Sequence, residues 1–304
     1  MPLRRLLLYM ARQPGLRRWV ESGAATRRLA KRFIAGSTLD EALVVCRTLK
    51  SDGITATLDY LGENVTSSKQ AEGSRDMALR TLRALQADGL EPNISIKLSQ
   101  FGLDISTEVC EGNVSPVVEL AAAIGGFVRI DTESSAYTER TISLVTRLHS
   151  RYAQCGTVMQ AYLRRTADDV GALIAQRVRV RLCKGAYLEP PELAFADKAE
   201  VDRNYVRLAE VLLERGHYPA IATHDERIIA ELCRFVSDRT ISKDAFEFQM
   251  LYGIRRDLQK KLVGQGFRLR VYVPFGEAWY PYFMRRLAER PANLLFFVRN
   301  LMRS

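Results

Sequence analysis

The sequence predicts an α/β fold, a (β/α)₈ barrel, and three observations carry that prediction. Past residue 50 the apolar pattern settles into eight short runs rich in β-branched residues, each followed by a longer helix-like stretch. The starts of the runs are separated by 39, 32, 30, 21, 41, 26 and 23 residues, close to one strand, one helix and two loops. No Pro/Ser-rich linker interrupts residues 56–304, and no fixed-period repeat appears beyond the βα alternation.

In such a barrel the strand interiors fill the core, while side chains at or just beyond the C-terminal strand ends line the active-site face. Each run supplies a polar group there. The first, 56–61, carries Asp59, and the second, 95–99, carries Lys97. The third, 127–131, ends at Asp131 with Glu133 just beyond, and the fourth, 157–163, contributes Gln160 and then Arg164. From the fifth, 178–183, come Arg181, Lys184 and Tyr187, and from the sixth, 219–224, Thr223, His224 and Asp225. Gln249 lies on the seventh, 245–251, and Tyr272 on the eighth, 268–273. Between the runs, 141–151, 167–175, 201–215 and 226–236 place apolar residues at helical spacing with charges between, and a further helix begins near Trp279. A polar strand end is common, because it meets solvent. Polar ends on all eight strands, five of these residues cationic or imidazole, point to an anionic ligand.

Composition sets the outer limits. At 304 residues, 47% apolar and 26% charged, the chain has the makeup of a folded protein. Its longest apolar stretch, residues 120–128, is well short of the roughly 20 residues a spanning helix needs. Five scattered cysteines without a C-x-x-C spacing signal neither a disulfide framework nor a zinc ribbon and suit a reducing compartment. The formal charge of +10 is concentrated at one end: residues 1–32 hold nine basic side chains against Glu21, a net +8, which leaves +2 for the other 272. That segment, interleaved with Leu, Tyr and Trp, reads as one or two basic amphipathic helices. Three readings stand for it: a cover packed on the body of the protein, a foot on an anionic membrane, or a cleavable transit peptide. Nucleic acid is not an expected partner. The organisation expected is a basic helical segment over residues 1–50 and a catalytic barrel over 51–304.

Several chemistries lack their residues. There is no G-x-G-x-x-G between a strand and a helix and no P-loop pattern. The three histidines, His149, His217 and His224, are scattered, so no metal site is expected. Cys183, on a buried strand end, reads as a core thiol. Lys184 admits two readings: a Schiff-base lysine, which would make the protein an aldolase, or a fixed cation beside an anionic cofactor, with Gly185 allowing close backbone approach. Arg285 and Arg286 follow the eighth strand, so they could fold over the barrel mouth and clamp a carboxylate or phosphate.

These residues carry a resemblance. Ser-Ile-Lys97-Leu-Ser, Arg-Ile-Asp131, Gln160-Ala-Tyr-Leu, Arg181-Leu-Cys-Lys184-Gly185-Ala186-Tyr187, Ala-Thr223-His224-Asp225, Phe-Glu-Phe-Gln249-Met-Leu251 and Tyr272-Val-Pro-Phe-Gly, followed by Arg285-Arg286-Leu-Ala-Glu289, resemble flavin-dependent proline dehydrogenases of the short, monofunctional bacterial type. The match runs from about Arg32 onward. It departs at Asp131-Thr-Glu-Ser, where Met or a similar residue is expected after the aspartate and a second acid after the glutamate. The resemblance implies a distorted TIM-type barrel, a noncovalent FAD, oxidation of L-proline to Δ1-pyrroline-5-carboxylate, and a membrane quinone as electron acceptor. It implies a cytoplasmic protein, with peripheral contact on the inner face of the cytoplasmic membrane. By the same resemblance Asp131 and Tyr187 are the catalytic residues. Lys97, Arg285 and Arg286 hold the substrate carboxylate, and Leu251 and Tyr272, with Tyr187, shape the pocket around its ring. Gln160, Arg181, Lys184, Gly185, Ala186, Thr223 and His224 bind the flavin, and Glu63 pairs with Arg285 as a gate.

Overall fold

The computed structural model describes residues 32–62 and 65–289. The basic segment 1–31 and the gate residue Glu63 lie outside that range. Among the described residues helix α1 (Leu39–Ser51) comes first, begun by a capping box in which Thr38 and Glu41 each satisfy the other's backbone N–H. Then follow β1 (Thr55–Tyr60), α2 (Ser68–Ala87), β2 (Asn93–Lys97), α3 (Thr107–Ala123), β3 (Phe127–Asp131), α4 (Ser135–His149) and β4 (Cys155–Gln160). The second half runs α5 (Thr166–Ala175), β5 (Arg179–Cys183), α6 (Lys198–Arg215), β6 (Ala220–Ala222), α7 (Glu226–Asp238), β7 (Glu247–Leu251), α8 (Arg256–Gly264), β8 (Leu269–Phe275) and α9 (Tyr280–Glu289).

The eight strands pair in chain order, and β1 pairs with β8 in parallel from Thr55↔Arg270 to Tyr60↔Phe275, which closes the barrel. All eight predicted runs are strands. Their limits differ in detail: β4 stops at Gln160, and Leu163 instead bridges Ala194 of the loop after β5. Strand β6 is three residues long, because Thr223 turns its hydroxyl back to accept from the N–H of Asp225, the cap of α7.

Strand side chains alternate in direction, so each strand has an outward and an inward set. The outward set, including Leu58, Ile94, Ile130, Leu182, Phe248 and Val271, buries against Val114, Leu148, Leu173, Leu212 and Leu232 of the helices in one continuous core. Each such side chain contributes about 1.5–3 kcal/mol when fully buried. The inward set is a different material: Thr57, Asp59, Ser95, Lys97, Arg129, Gln160, Arg181, Glu247, Gln249 and Arg270 are all buried. The expected apolar filling of the barrel interior is therefore replaced by polar and charged layers, and the hydrophobic core is the shell between sheet and helices.

At the floor, where the strands begin, every guanidinium nitrogen of Arg270 has an acceptor. Its Nε contacts both oxygens of Glu247 at 2.9 and 3.1 Å, Nη2 reaches Glu91 at 2.9 and 3.0 Å, and Nη1 donates to the Ala56 carbonyl at 2.9 Å. Glu247 also accepts from Gln249 Nε2 at 2.5 Å. Burial works against the Glu247 charge, yet Arg270 and Gln249 hold its carboxyl below the usual range.

At the opposite end a second apolar cluster lies over the mouth. Helix α9 supplies Tyr280, Tyr282, Phe283 and Met284, which pack with Trp279, Phe33, Ile34, Leu61 and Ile254, while Leu251 and Tyr272 lean against them from the strand ends.

Candidate active site

Five strands, β1, β2, β3, β5 and β8, meet in one hydrogen-bonded chain inside the mouth. Lys97 Nζ lies 3.0 Å from each carboxylate oxygen of Asp59 and 3.4 Å from Tyr272 Oη. Tyr272 donates to Asp131 Oδ2 at 3.0 Å, and Asp131 Oδ1 accepts from Arg181 Nη1 at 2.9 Å. Arg181 Nη2 reaches Ser95 Oγ at 3.0 Å, and its guanidinium carbon sits 5.3 Å from the centroid of the Tyr272 ring. The sequence predicts the membership of Lys97, Asp131, Arg181 and Tyr272, and the structure brings all four together. Asp59, read only as a strand-end residue, turns out to be the partner of Lys97 and is fully buried.

Burial raises the Asp59 carboxyl above its ordinary range, Lys97 pulls it back, and the nearby Asp131 charge adds to the rise. Burial, Asp131 and Asp59 push the Tyr272 phenol well up, so it stays a proton donor. Two carboxylates and two cations leave this chain close to neutral. Arg181 Nε is buried with no acceptor among the described residues, a donor left over that costs about 1–3 kcal/mol unless something accepts from it. The mouth thus retains hydrogen-bonding capacity for an anionic or polar group, whereas the Arg270–Glu247 network of the floor is satisfied within itself.

On the β4–β6 side the remaining predicted residues form a rim. Gln160 Nε2 donates to the Glu133 carbonyl at 2.8 Å, and the Glu133 carboxylate is itself anchored by Ser99, from N at 3.0 Å and Oγ at 2.6 Å. Glu133 therefore locks the loop after β3. Lys184 Nζ lies between Asp202 Oδ1 at 2.5 Å and Asp225 Oδ2 at 3.1 Å. Although burial opposes it, the Lys184 contact holds both carboxyls below the usual range. An ammonium bracketed by two carboxylates favours the fixed-cation reading of Lys184 over the Schiff-base one. Asp202, 18 residues further on and on α6, had no signal in the strand pattern.

Gly185 has φ +115°, and a Cβ there would lie 2.1 Å from Tyr162 Cδ1, so the backbone approaches the Tyr162 ring as only glycine can. Ala186 and Tyr187 follow, half-buried, in a long loop tied down by Tyr162 N to Lys184 O at 2.9 Å and Ser135 N to Glu189 Oε1 at 2.8 Å. Arg164 belongs to this loop's support: its Nε donates to Pro191 O at 3.2 Å. His224 Nε2 accepts from Leu251 N at 2.9 Å, which places the proton of the neutral ring on Nδ1. Gln249 turns to the floor rather than the mouth. Arg286 is half-buried on α9, its guanidinium carbon 5.1 Å from the Tyr282 ring centroid. Arg285 is on the same helix, but its side chain lies outside the described residues, and so does the predicted pairing with Glu63. Cys183 is a half-buried thiol that forms no disulfide among the described residues. Among the described residues no group of three or more potential metal ligands occurs, and no helix is long and apolar enough to cross a membrane.

Known proteins of similar sequence and shape agree with one another. Residues 42–299 match the family model described as proline dehydrogenase. The chain is 42% identical over 280 residues to a proline dehydrogenase of Deinococcus radiodurans, covering 90% of each. It is 38% identical over 301 residues to proline dehydrogenase 1 of Bacillus subtilis, covering 99% of each. Among solved structures it resembles proline utilization A (PutA) from Bdellovibrio bacteriovorus inactivated by N-propargylglycine, with a TM-score of 0.81 and 31% identity over 86% of this chain and 32% of that one.

Proposed function

The chain belongs to the proline dehydrogenase family, whose reaction is the first step of proline catabolism, and on that premise we propose that it oxidises L-proline to Δ1-pyrroline-5-carboxylate with a noncovalent FAD. The observation that supports this most is the mouth chain from Asp59 to Arg181, which ends in a buried guanidinium with a donor to spare. Arg181 and the close backbone at Gly185 suit a large anionic cofactor, with Lys184 held beside Gly185 by Asp202 and Asp225. When bound, FAD supplies the hydride acceptor.

The chain's own residues do the rest by orientation and charge pairing. Gln160, Arg181, Lys184, Gly185, Ala186, Thr223 and His224 hold the cofactor. Lys97, Arg285 and Arg286 hold the proline carboxylate, while Tyr187, Leu251 and Tyr272 enclose the ring under α9. Asp131 fixes Arg181 and Tyr272 relative to each other, which keeps the reacting carbon aligned. The amine must be neutral for its lone pair to assist hydride loss, and the near-neutral balance of Asp59, Lys97, Asp131 and Arg181 does not oppose that deprotonation. Glu63 with Arg285 closes the first loop over the site. The basic N-terminal segment brings the enzyme to the inner face of the cytoplasmic membrane, where a quinone takes the electrons.

The test is spectroscopic. The purified protein is expected to be yellow, proline is expected to bleach it without oxygen, and a quinone to restore the colour. A protein that neither carries nor takes up FAD, or whose flavin proline does not reduce, would overturn the reading. For the membrane part, full-length protein should cosediment with anionic but not neutral vesicles in a salt-sensitive way.

A further inference from the structure

The floor rim, where β4, β5 and β6 begin, carries chemistry that the mouth does not use. Helix α5 ends in a left-handed residue, with Arg177 N bonded to Ile174 O at 2.9 Å and Val178 N to Leu173 O at 3.0 Å. Glycine is the usual occupant of that position. Here it is Arg177 at φ 56°, and in the neighbouring turn before β6 Tyr218 is held at φ 45°. Left-handed backbone in side-chain-bearing residues costs on the order of 1 kcal/mol each and collects at functional sites.

The side chains of these two turns converge. Arg177 Nη2 lies 3.3 Å from His217 Nδ1. A guanidinium only donates, so Nδ1 accepts and the proton of the neutral imidazole sits on Nε2, which is left as a donor. Arg179 stands between two aromatic rings, its guanidinium carbon 5.1 Å from the Phe127 centroid and 5.2 Å from that of Tyr218. It has no carboxylate or carbonyl acceptor among the described residues, and its Nε is buried without one. Acids in the vicinity are already committed: Glu247 to Arg270 and Gln249, and Asp244 to Arg268 at 2.7 Å. Behind Phe127, Arg129 adds another positive charge, its Nη1 bonded to the Arg179 carbonyl at 2.6 Å and its guanidinium carbon 4.7 Å from the same ring.

We propose that Arg177, Arg179 and His217 form a binding site for a phosphate-type oxyanion on the face of the barrel opposite the mouth. The aromatic rings hold the Arg179 fork in place before any ligand arrives, and a planar fork matches two oxygens of a tetrahedral anion. Arg177 adds a second charge and His217 Nε2 a third donor. Burial, then Arg179, Arg177 and His149, push the His217 pKa down. A bound anion reverses that field. The phosphate group could belong to a soluble ester or to a lipid headgroup, and both present the same chemistry to these three residues.

Histidine NMR tests the site directly, because the chain has only three histidines to assign. Inorganic phosphate, compared with chloride at equal ionic strength, is expected to raise the His217 pKa by on the order of 1 unit while leaving His224 unmoved. The rise should disappear in Arg179→Gln and shrink in Arg177→Gln, an exposed position that tolerates the change. Vesicles containing phosphatidylglycerol are the second arm: an Arg179-dependent response to them and not to free phosphate assigns the site to headgroups, and the converse assigns it to soluble esters. No response to either probe, an equal response of all three histidines, or a response that survives Arg179→Gln overturns the proposal.

Discussion

Two ion networks inside the barrel, one at each end, are built from the same kinds of residue to opposite effect. At the floor, Arg270, Glu247, Glu91 and Gln249 satisfy one another, and the environment favours the charged form of Glu247. At the mouth, Asp59 is buried against Lys97 in surroundings that disfavour its charge, and Arg181 keeps a donor without an acceptor. A buried ion network can therefore secure a fold or hold a site in readiness. The difference is whether every donor has found its acceptor inside the protein. A saturated network has nothing to offer a ligand, whereas an unsaturated one carries a standing cost that binding relieves.

The largest effect is expected at the floor. Glu247→Gln leaves Arg270 buried with half its partner lost, which should cost about 3–5 kcal/mol at neutral pH. The sign of the pH dependence follows from the lowered carboxyl: the stability it contributes is present above the ordinary glutamate value of 4.5 and is lost as pH falls through the lower folded value. Thermal unfolding of parent and variant should thus converge in acid. A constant gap across pH would mean that packing, not charge, holds the floor.

Next comes the mouth, where the loss should be catalytic. Asp131→Ala removes the acceptor shared by Arg181 and Tyr272 and is expected to cut turnover about 100-fold, the loss of roughly 2.7 kcal/mol of alignment and charge pairing, while flavin content stays near normal. Full activity in this variant would make Asp131 scaffold and erase the contrast between the ends. Arg286→Lys, or Arg285→Lys, should weaken proline binding by about 1.5–3 kcal/mol, since lysine lacks the bidentate fork, with an unchanged flavin spectrum. Steady-state KM decides it, and parental values in both variants would take α9 out of the site.

The smallest effect sharpens the comparison most. Asp59 has a raised carboxyl, so it weakens the folded state as pH rises from the ordinary aspartate value of 3.8 through the folded one. Asp59→Asn is expected to stay within about 1 kcal/mol of the parent in unfolding at neutral pH, and to alter proline KM through the released Lys97. A loss as large as that of Glu247→Gln would show that mouth and floor do the same job.

Much of this architecture was legible in the residues. Each strand is a short β-branched run, and parallel strands need a helix between them, so eight runs at regular spacing are hard to read as anything else. Rim residues such as Lys97, Asp131 and Lys184 were found because topology sends chemistry to the C-terminal strand ends. Their partners were harder, since Asp202 and Asp59 are joined to Lys184 and Lys97 by folding alone. The floor network was not legible from motifs, because its residues sit at the N-terminal strand ends, away from the face where a barrel places its chemistry. One signal was available: Arg129-x-Asp131, Arg179-x-Arg181, Glu247-x-Gln249 and Arg270-x-Tyr272 put polar groups at every second position of otherwise buried strands, the signature of a polar barrel interior.

Helix α9 rests on residues from both halves of the chain, with Phe33 and Leu61 from the early part and Ile254 from the late part. The pairing of β1 with β8 likewise joins residues about 214 apart. Synthesis proceeds at about 5–20 residues per second, so on the ribosome the early strands wait with one edge open for at least ten seconds before their last neighbour emerges. The mouth can take its final form only after that. Assembly of the mouth is in consequence a late event of synthesis, and the nascent chain is the stage at which an unpaired β1 edge is most open to aggregation or to chaperones.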